Sequence, residues 1–129
     1  RIEFDVTAEG ELERYYTPRM ILQPLVENAI SYGAEPYLEI CRITVTVREE
    51  AESIIMIVQD TGAGMSQEEL EAVRNSDYKA KGHGIGLKNI RERLAMDDSR
   101  STFRIESEIG KGTRVEIHIQ KRTEVENHV

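Results

Sequence analysis

Tryptophan is absent from these 129 residues, cysteine occurs once, proline three times, and aromatic side chains make up only 5%. With Cys41 alone no internal disulfide can form, which fits a reducing compartment, and in its apolar setting Cys41 reads as core. No apolar run is long enough to span a bilayer and no stretch reads as a signal peptide, so no membrane contact is expected of this segment. Positive charge is also scarce: Lys and Arg number 17 against 24 Asp and Glu, a net charge of −7. That balance excludes a nucleic-acid binder working through a basic face. It leaves nucleotides open, because their phosphates are neutralised locally by metal and backbone amides. What is present, 39% hydrophobic and 32% charged residues, suits one globular domain with its own core and is too apolar for disorder. Arg1, without an initiator Met and directly before a strand pattern, reads as the start of a piece of a longer protein.

Ile2, Phe4 and Val6 alternate with polar residues, the period-two pattern of a half-buried strand. A polar stretch over residues 7–17 follows. An apolar helical pattern then runs from Pro18 to about Tyr32, with Gly33 placed to end it. Pro24 leaves two readings: a helix starting near it, or a longer helix kinked there. Ile43, Val45 and Val47 predict a strand with one wet face, and residues 54–58 a central strand covered on both faces, stopping at Asp60. Ser66 with Glu69 has capping-box spacing for a short helix holding Leu70 and Val73 and fading near Asn75. Residues 76–82 read as a mobile loop. Gly82, Gly84 and Gly86 then lead into a helix with Ile85, Leu87, Ile90 and Leu94 along one face. Two last strands hold Phe103 and Ile105, then Val115, Ile117 and Ile119, joined by a turn over residues 109–113. Strands and helices mix without regular βαβ alternation. The expected fold is therefore an α+β two-layer sandwich, a mostly antiparallel mixed sheet with helices on one face, over residues 1–120, with a polar tail at 121–129.

Within the first helix, Glu27 and Asn28 stand side by side among apolar residues. An unpaired polar group buried there costs about 2–7 kcal/mol, so the pair is either satisfied by nearby backbone or committed to a ligand. As a metal–nucleotide site, Asn28 would offer Mg²⁺ an amide oxygen without adding negative charge beside phosphates, and Glu27 could take a proton. Asp60, followed by Gly62 and Gly64, is either a solvated strand end in a tight turn or an acceptor for a ligand amino group approached closely by backbone. The glycines at 82, 84 and 86 are either a flexible loop or an anion-binding helix start. Their spacing is neither the Rossmann fingerprint nor a Walker P-loop.

Taken in order, the Glu27–Asn28 helix, Asp60-x-Gly62-x-Gly64, Gly82-x-Gly84-x-Gly86 and Gly112-Thr113 resemble the N box, two glycine boxes and closing Gly-Thr of the GHKL (Bergerat) ATPase superfamily, over about residues 2–120. Residues 22–30 and 84–94 closely resemble the LytS-like sensor histidine kinases. The resemblance implies a Bergerat fold and an ATP-binding catalytic domain. In it Asp60 would read the adenine amino group, Gly62 and Gly64 would flank the base, and Thr113 would support the adenine end. Asn28 would hold Mg²⁺ and Glu27 would be the general base. Gly82, Gly84 and Gly86, with Leu87, would form the lid hinge and phosphate-binding helix start, and residues 76–81 the lid. Lys79 and Lys81 read as solvated lid charges that could reach phosphates. Tyr32, one turn after Asn28, replaces a basic residue or His found in many relatives and reads either as a phosphate contact or as core. The γ-phosphoryl would pass to a His on separate dimerisation helices, since His83, His118 and His128 match no acceptor. A response regulator would lie downstream, and a membrane-anchored parent would hold this domain on the cytoplasmic side. The alternatives are an anti-sigma-factor-type serine kinase, a binding module without catalysis, and a gyrase- or MutL-like module, for which the chain is too short.

Overall fold

The computed structural model describes residues 2–11, 19–34, 40–75 and 83–122. Its elements in chain order are β1 (Ile2–Glu9), α1 (Arg19–Asn28), a π-helical turn (Ala29–Ala34), β2 (Cys41–Glu49), β3 (Ser53–Asp60), α2 (Gln67–Arg74), α3 (His83–Asp97), β4 (Thr102–Glu108) and β5 (Gly112–Gln120). The strands form one sheet in the order β1-β2-β3-β5-β4, with β1 parallel to β2 and every other pair antiparallel. One face of it, carrying Ile43 and Val45, Ile54, Met56 and Val58, Ile105, and Val115, Ile117 and Ile119, packs with Ile21 and Leu25 of α1, Leu70 and Val73 of α2, and Leu87, Ile90 and Leu94 of α3. Each such side chain contributes about 1.5–3 kcal/mol by leaving water. This is the two-layer sandwich that the patterning predicts.

On the opposite face Ile55 and Ile57 are buried as well, flanked across the register by Arg48 and His118 and by Thr46 and Glu116. The unbroken apolar run of β3 has this cause. Cys41 is fully buried, as expected. Ser66 caps α2, accepting from the Glu69 amide at 3.2 Å, and the helix ends at Arg74 with Asn75 as its C-cap.

Several expectations are corrected. Strand β1 extends through Thr7 to Glu9, and all eight of its residues are exposed, Val6 to 72%. Alternation marks which face a side chain takes; it does not supply a layer to cover that face at the sheet edge. Helix α1 begins upstream of Pro24 and passes through it, and the regular helix stops at Asn28, not at Gly33, widening into the π turn. Ile85 is 46% exposed, because 200° of helical rotation separates it from Leu87. Gly84 and Gly86 lie inside the first turn of α3, not before it. Of the polar tail, Lys121 pairs with Glu49 at 2.7 Å and Arg122 with Asp97 at 2.6 Å, which ties the chain down past residue 120. Residues 123–129 lie outside the described residues.

Candidate functional site

Antiparallel register lines up Asp60, Thr113 and Ser107 in one row across β3, β5 and β4, on the helix-covered face. Asp60 is 3% exposed and Thr113 4%. The Gly62 amide donates to Asp60 Oδ1 at 2.9 Å, so the residue two after the carboxylate turns back to satisfy it. Burial raises the Asp60 carboxyl above the usual aspartate range, while the Gly62 amide and a backbone hydrogen bond from Thr113 oppose that rise. A buried carboxylate held in place by backbone amides is suited to accept a further hydrogen bond from a ligand amino group.

The glycines around it answer to sterics. Gly64 has φ +73°, and a Cβ there would run into the carbonyl of Glu108. Gly112 has φ +108°, and a Cβ there would strike the backbone of Asp60. Only residues without a Cβ let the β4–β5 hairpin close onto the loop after β3. The Gly110 amide adds a hydrogen bond to Ala63 O at 2.8 Å. A cavity of about 360 Å³ opens at these strand ends, with Asp60, Ser107, Lys111, Thr113 and Arg114 in its wall.

The second end lies between α1 and α3. The buried stripe of α1 runs Ile21, Leu25 and Asn28 and passes into Ala29 of the π turn, so the amide continues a core-facing row. Glu27, 100° around the helix, is exposed, and its Oε1 accepts from Gln23 Nε2 at 3.1 Å. The expectation that both members of the pair enter the apolar layer is corrected for Glu27, which the 100° step from Asn28 carries out of the stripe that Ile21 and Leu25 define. Opposite Asn28 stands Gly86, where a Cβ would come within 2.6 Å of Asn28 Nδ2. The two motifs therefore meet through the missing side chain. A cleft of about 320 Å³ follows, walled by Pro24, Glu27 and Asn28 of α1, Tyr32 of the π turn, and Gly86, Asn89 and Arg93 of α3, among others. The spacing of three and four on each side is one helical stripe facing another.

Leu87 is buried in the core. Gly82, Lys79, Lys81 and the rest of the expected lid lie outside the described residues. The sequence reading missed Ser107, although alternation with Ile105 along β4 puts it on the site face. On the α3 side of the cleft it named Gly86 but missed Asn89 and Arg93. Among the described residues no group of three or more His, Cys, Asp or Glu could cage a metal alone. The donor set near Asn28, one buried amide oxygen beside a cleft, fits Mg²⁺ only in the manner that leaves most positions to phosphate oxygens and water.

Residues 15–123 match the family described as histidine kinase-, DNA gyrase B-, and HSP90-like ATPase. The chain belongs to that family. Among relatives of this ATPase domain, the sensor histidine kinase YesM of Bacillus subtilis is 37% identical over 126 residues, 97% of this chain and 21% of YesM. The sensor protein LytS of the same organism is 30% identical over 99% of this chain and 22% of its own length. The chain thus spans about a fifth of these relatives. The catalytic domain of histidine kinase ThkA superposes with a TM-score of 0.68 at 19% identity, covering 95% of this chain and 81% of that one. The mycobacterial sensor histidine kinase MprB gives 0.62 at 19% identity over 95% and 83%. At those identities the likeness speaks for the fold, a histidine-kinase-type ATPase fold, and the sequence relatives for the sensor-kinase branch.

Proposed function

We propose that this ATPase domain binds Mg-ATP and transfers its γ-phosphoryl group to a histidine on helices of a longer parent protein, a sensor histidine kinase. The observation that carries this is the pairwise convergence of distant motifs: Asp60 with Gly62 and Thr113 at the sheet, and Asn28 with Gly86 between α1 and α3. In this reading the Asp60 carboxylate accepts from the adenine amino group, and guanine, with a carbonyl there, is disfavoured. Gly62, Gly64 and Thr113 bound the base. Gly84, Gly86 and the α3 N-terminus, together with Gly82 and Leu87, serve the phosphate end, where backbone N–H groups attract anions. Asn28 holds Mg²⁺, which when bound neutralises charge on the phosphate oxygens.

The reaction breaks the bond between the γ-phosphorus and its bridging oxygen and forms a phosphorus–nitrogen bond to imidazole. Glu27, exposed at the cleft, takes the proton released by the attacking ring. Most of the rate comes from positioning and charge neutralisation, so the domain alone binds nucleotide without modifying itself. The domain covers residues 1–120 with a short polar tail. Among the described residues no helix is long and apolar enough to cross a membrane. We place the domain on the cytoplasmic side of a membrane-anchored parent that feeds a response regulator.

The test uses radiolabelled ATP with the domain and, separately, with the parent's helical segment added. Acid-labile label on the added segment, none on the domain alone, and loss of transfer but not of ATP binding in Glu27→Gln are expected. Acid-stable label on a serine partner, or ready self-labelling of the domain, would refute the proposal.

A further inference from the structure

The Asp60–Thr113 pair has a third member that none of the motifs contains. Ser107 lies directly across from Thr113 in the β4–β5 ladder, and its hydroxyl is at the centre of three short contacts. Its Oγ accepts from the Met65 amide at 2.8 Å, lies 2.8 Å from Thr113 Oγ1, and donates to Gly112 O at 3.1 Å. A serine hydroxyl has one proton and two lone pairs. The Met65 amide takes one lone pair and the Gly112 carbonyl takes the proton. All three contacts are hydrogen bonds only if Thr113 donates its own proton to the remaining lone pair. The Thr113 oxygen is then left with lone pairs alone, in a residue that shares the cavity wall with Asp60.

We infer that Ser107 is a positioning residue for base recognition, orienting the Thr113 hydroxyl and clamping the Gly62–Met65 loop to β4 so that Asp60 and Thr113 present a fixed pattern of acceptors to a purine. Two further contacts make the clamp rigid. Gly64 abuts the carbonyl of Glu108, the residue after Ser107, and Gly110 N donates to Ala63 O at 2.8 Å. A loop held from both sides in this way has little freedom to re-aim the Asp60 carboxylate, whose own partner Gly62 belongs to the same loop. An acceptor held opposite the 6-position favours the amino group of adenine and rejects the carbonyl of guanine. Ser107 thereby contributes to the choice of ATP over GTP without touching either. The inference rests on the nucleotide-binding reading above.

The experiment is calorimetric titration of the domain with Mg-ATP and Mg-GTP, on the unaltered chain, Ser107→Ala, Thr113→Ala and the double variant. Losing one neutral hydrogen bond predicts an ATP affinity lower by about threefold to tenfold in Ser107→Ala, with a narrower ATP-to-GTP ratio. Because Ser107 acts on Thr113 as well as on the loop, the loss in the double variant should fall short of the product of the two single losses. A residue that merely stabilised the fold would lower the melting temperature and leave both the ratio and the additivity unmoved. Should Ser107→Ala not fold, Ser107→Cys keeps the shape but offers a poor acceptor, and the same loss is expected of it. Unchanged ATP affinity in whichever variant folds, or losses that multiply in the double variant, would overturn the inference while leaving ATP binding intact. Absence of ATP binding by the unaltered chain would instead overturn the function proposed above, and this inference with it.

Discussion

Replacing Asp60 by Asn is expected to separate stability from recognition. The Gly62 amide donates to Oδ1 of Asp60 at 2.9 Å, and any side chain at this position must keep an oxygen there or leave that N–H without its acceptor. An asparagine has one oxygen, so once that oxygen accepts from Gly62 its amino group replaces the second carboxylate oxygen. The adenine amino group then meets a donor where it had a carboxylate. A hydrogen bond to a charged group is worth about 1.5–3 kcal/mol, so ATP should bind roughly 10- to 150-fold more weakly. Guanine presents a carbonyl at that position and should gain a donor, so the preference for ATP narrows or inverts. Stability moves the other way. The folded-state pKa of Asp60 is raised above its ordinary value of 3.8, chiefly by burial. Native protein therefore holds this proton more tightly than unfolded chain, and stability falls as pH rises from near 3.8 through the folded value. Asn has no such cost, so nucleotide-free Asp60→Asn should melt at or above the temperature of the unaltered chain at neutral pH, with the advantage shrinking in acid. Calorimetric titration and thermal melts across pH measure both. An Asp60→Asn domain that binds ATP as tightly as before, or that is clearly less stable at neutral pH, would refute the reasoning.

Gly86→Ala should place a methyl within 2.6 Å of Asn28 Nδ2, forcing the amide away from the cleft. Overpacking of this kind costs about 1–3 kcal/mol in urea unfolding, and Mg-ATP affinity should fall while Asp60 and Thr113 are untouched. On the open face of the sheet, Glu116 is held below the usual glutamate range first by the hydrogen bond with His118, at 2.6 Å, and then by Arg114, at 2.8 Å. A lowered acid contributes stability above its unfolded value, here 4.5, and loses it as pH falls through the folded value. His118→Gln should flatten the acid limb of a melting-temperature profile, and an unchanged limb would remove Glu116 from the account.

The sheet was legible because alternation is a strong signal where both neighbours and a helical layer exist, as along Val115, Ile117 and Ile119. It misled at β1, where the same alternation met no covering layer. Asn28 and Glu27 looked alike in sequence, and only the helical angle between them, set by where Ile21 and Leu25 face, sends one inward and the other out. Gly64 and Gly112 were legible as turn formers, yet their need comes from contacts with Glu108 and Asp60, distant along the chain. Ser107 went unseen because its meaning lies in a register between strands, which no local pattern encodes.

Adjacency on α1 has a mechanical consequence for any partner that docks on this domain. Asn28 and Glu27 are spokes of one wheel, one turned towards the core and the other towards solvent. A push that rolls α1 about its axis and draws Glu27 deeper into the cleft swings Asn28 along the same arc and changes its stance against Gly86. If Asn28 holds the metal and Glu27 serves the incoming ring, as proposed, those two roles are geared together. A regulator acting on this helix can set their balance, but it cannot adjust either one alone.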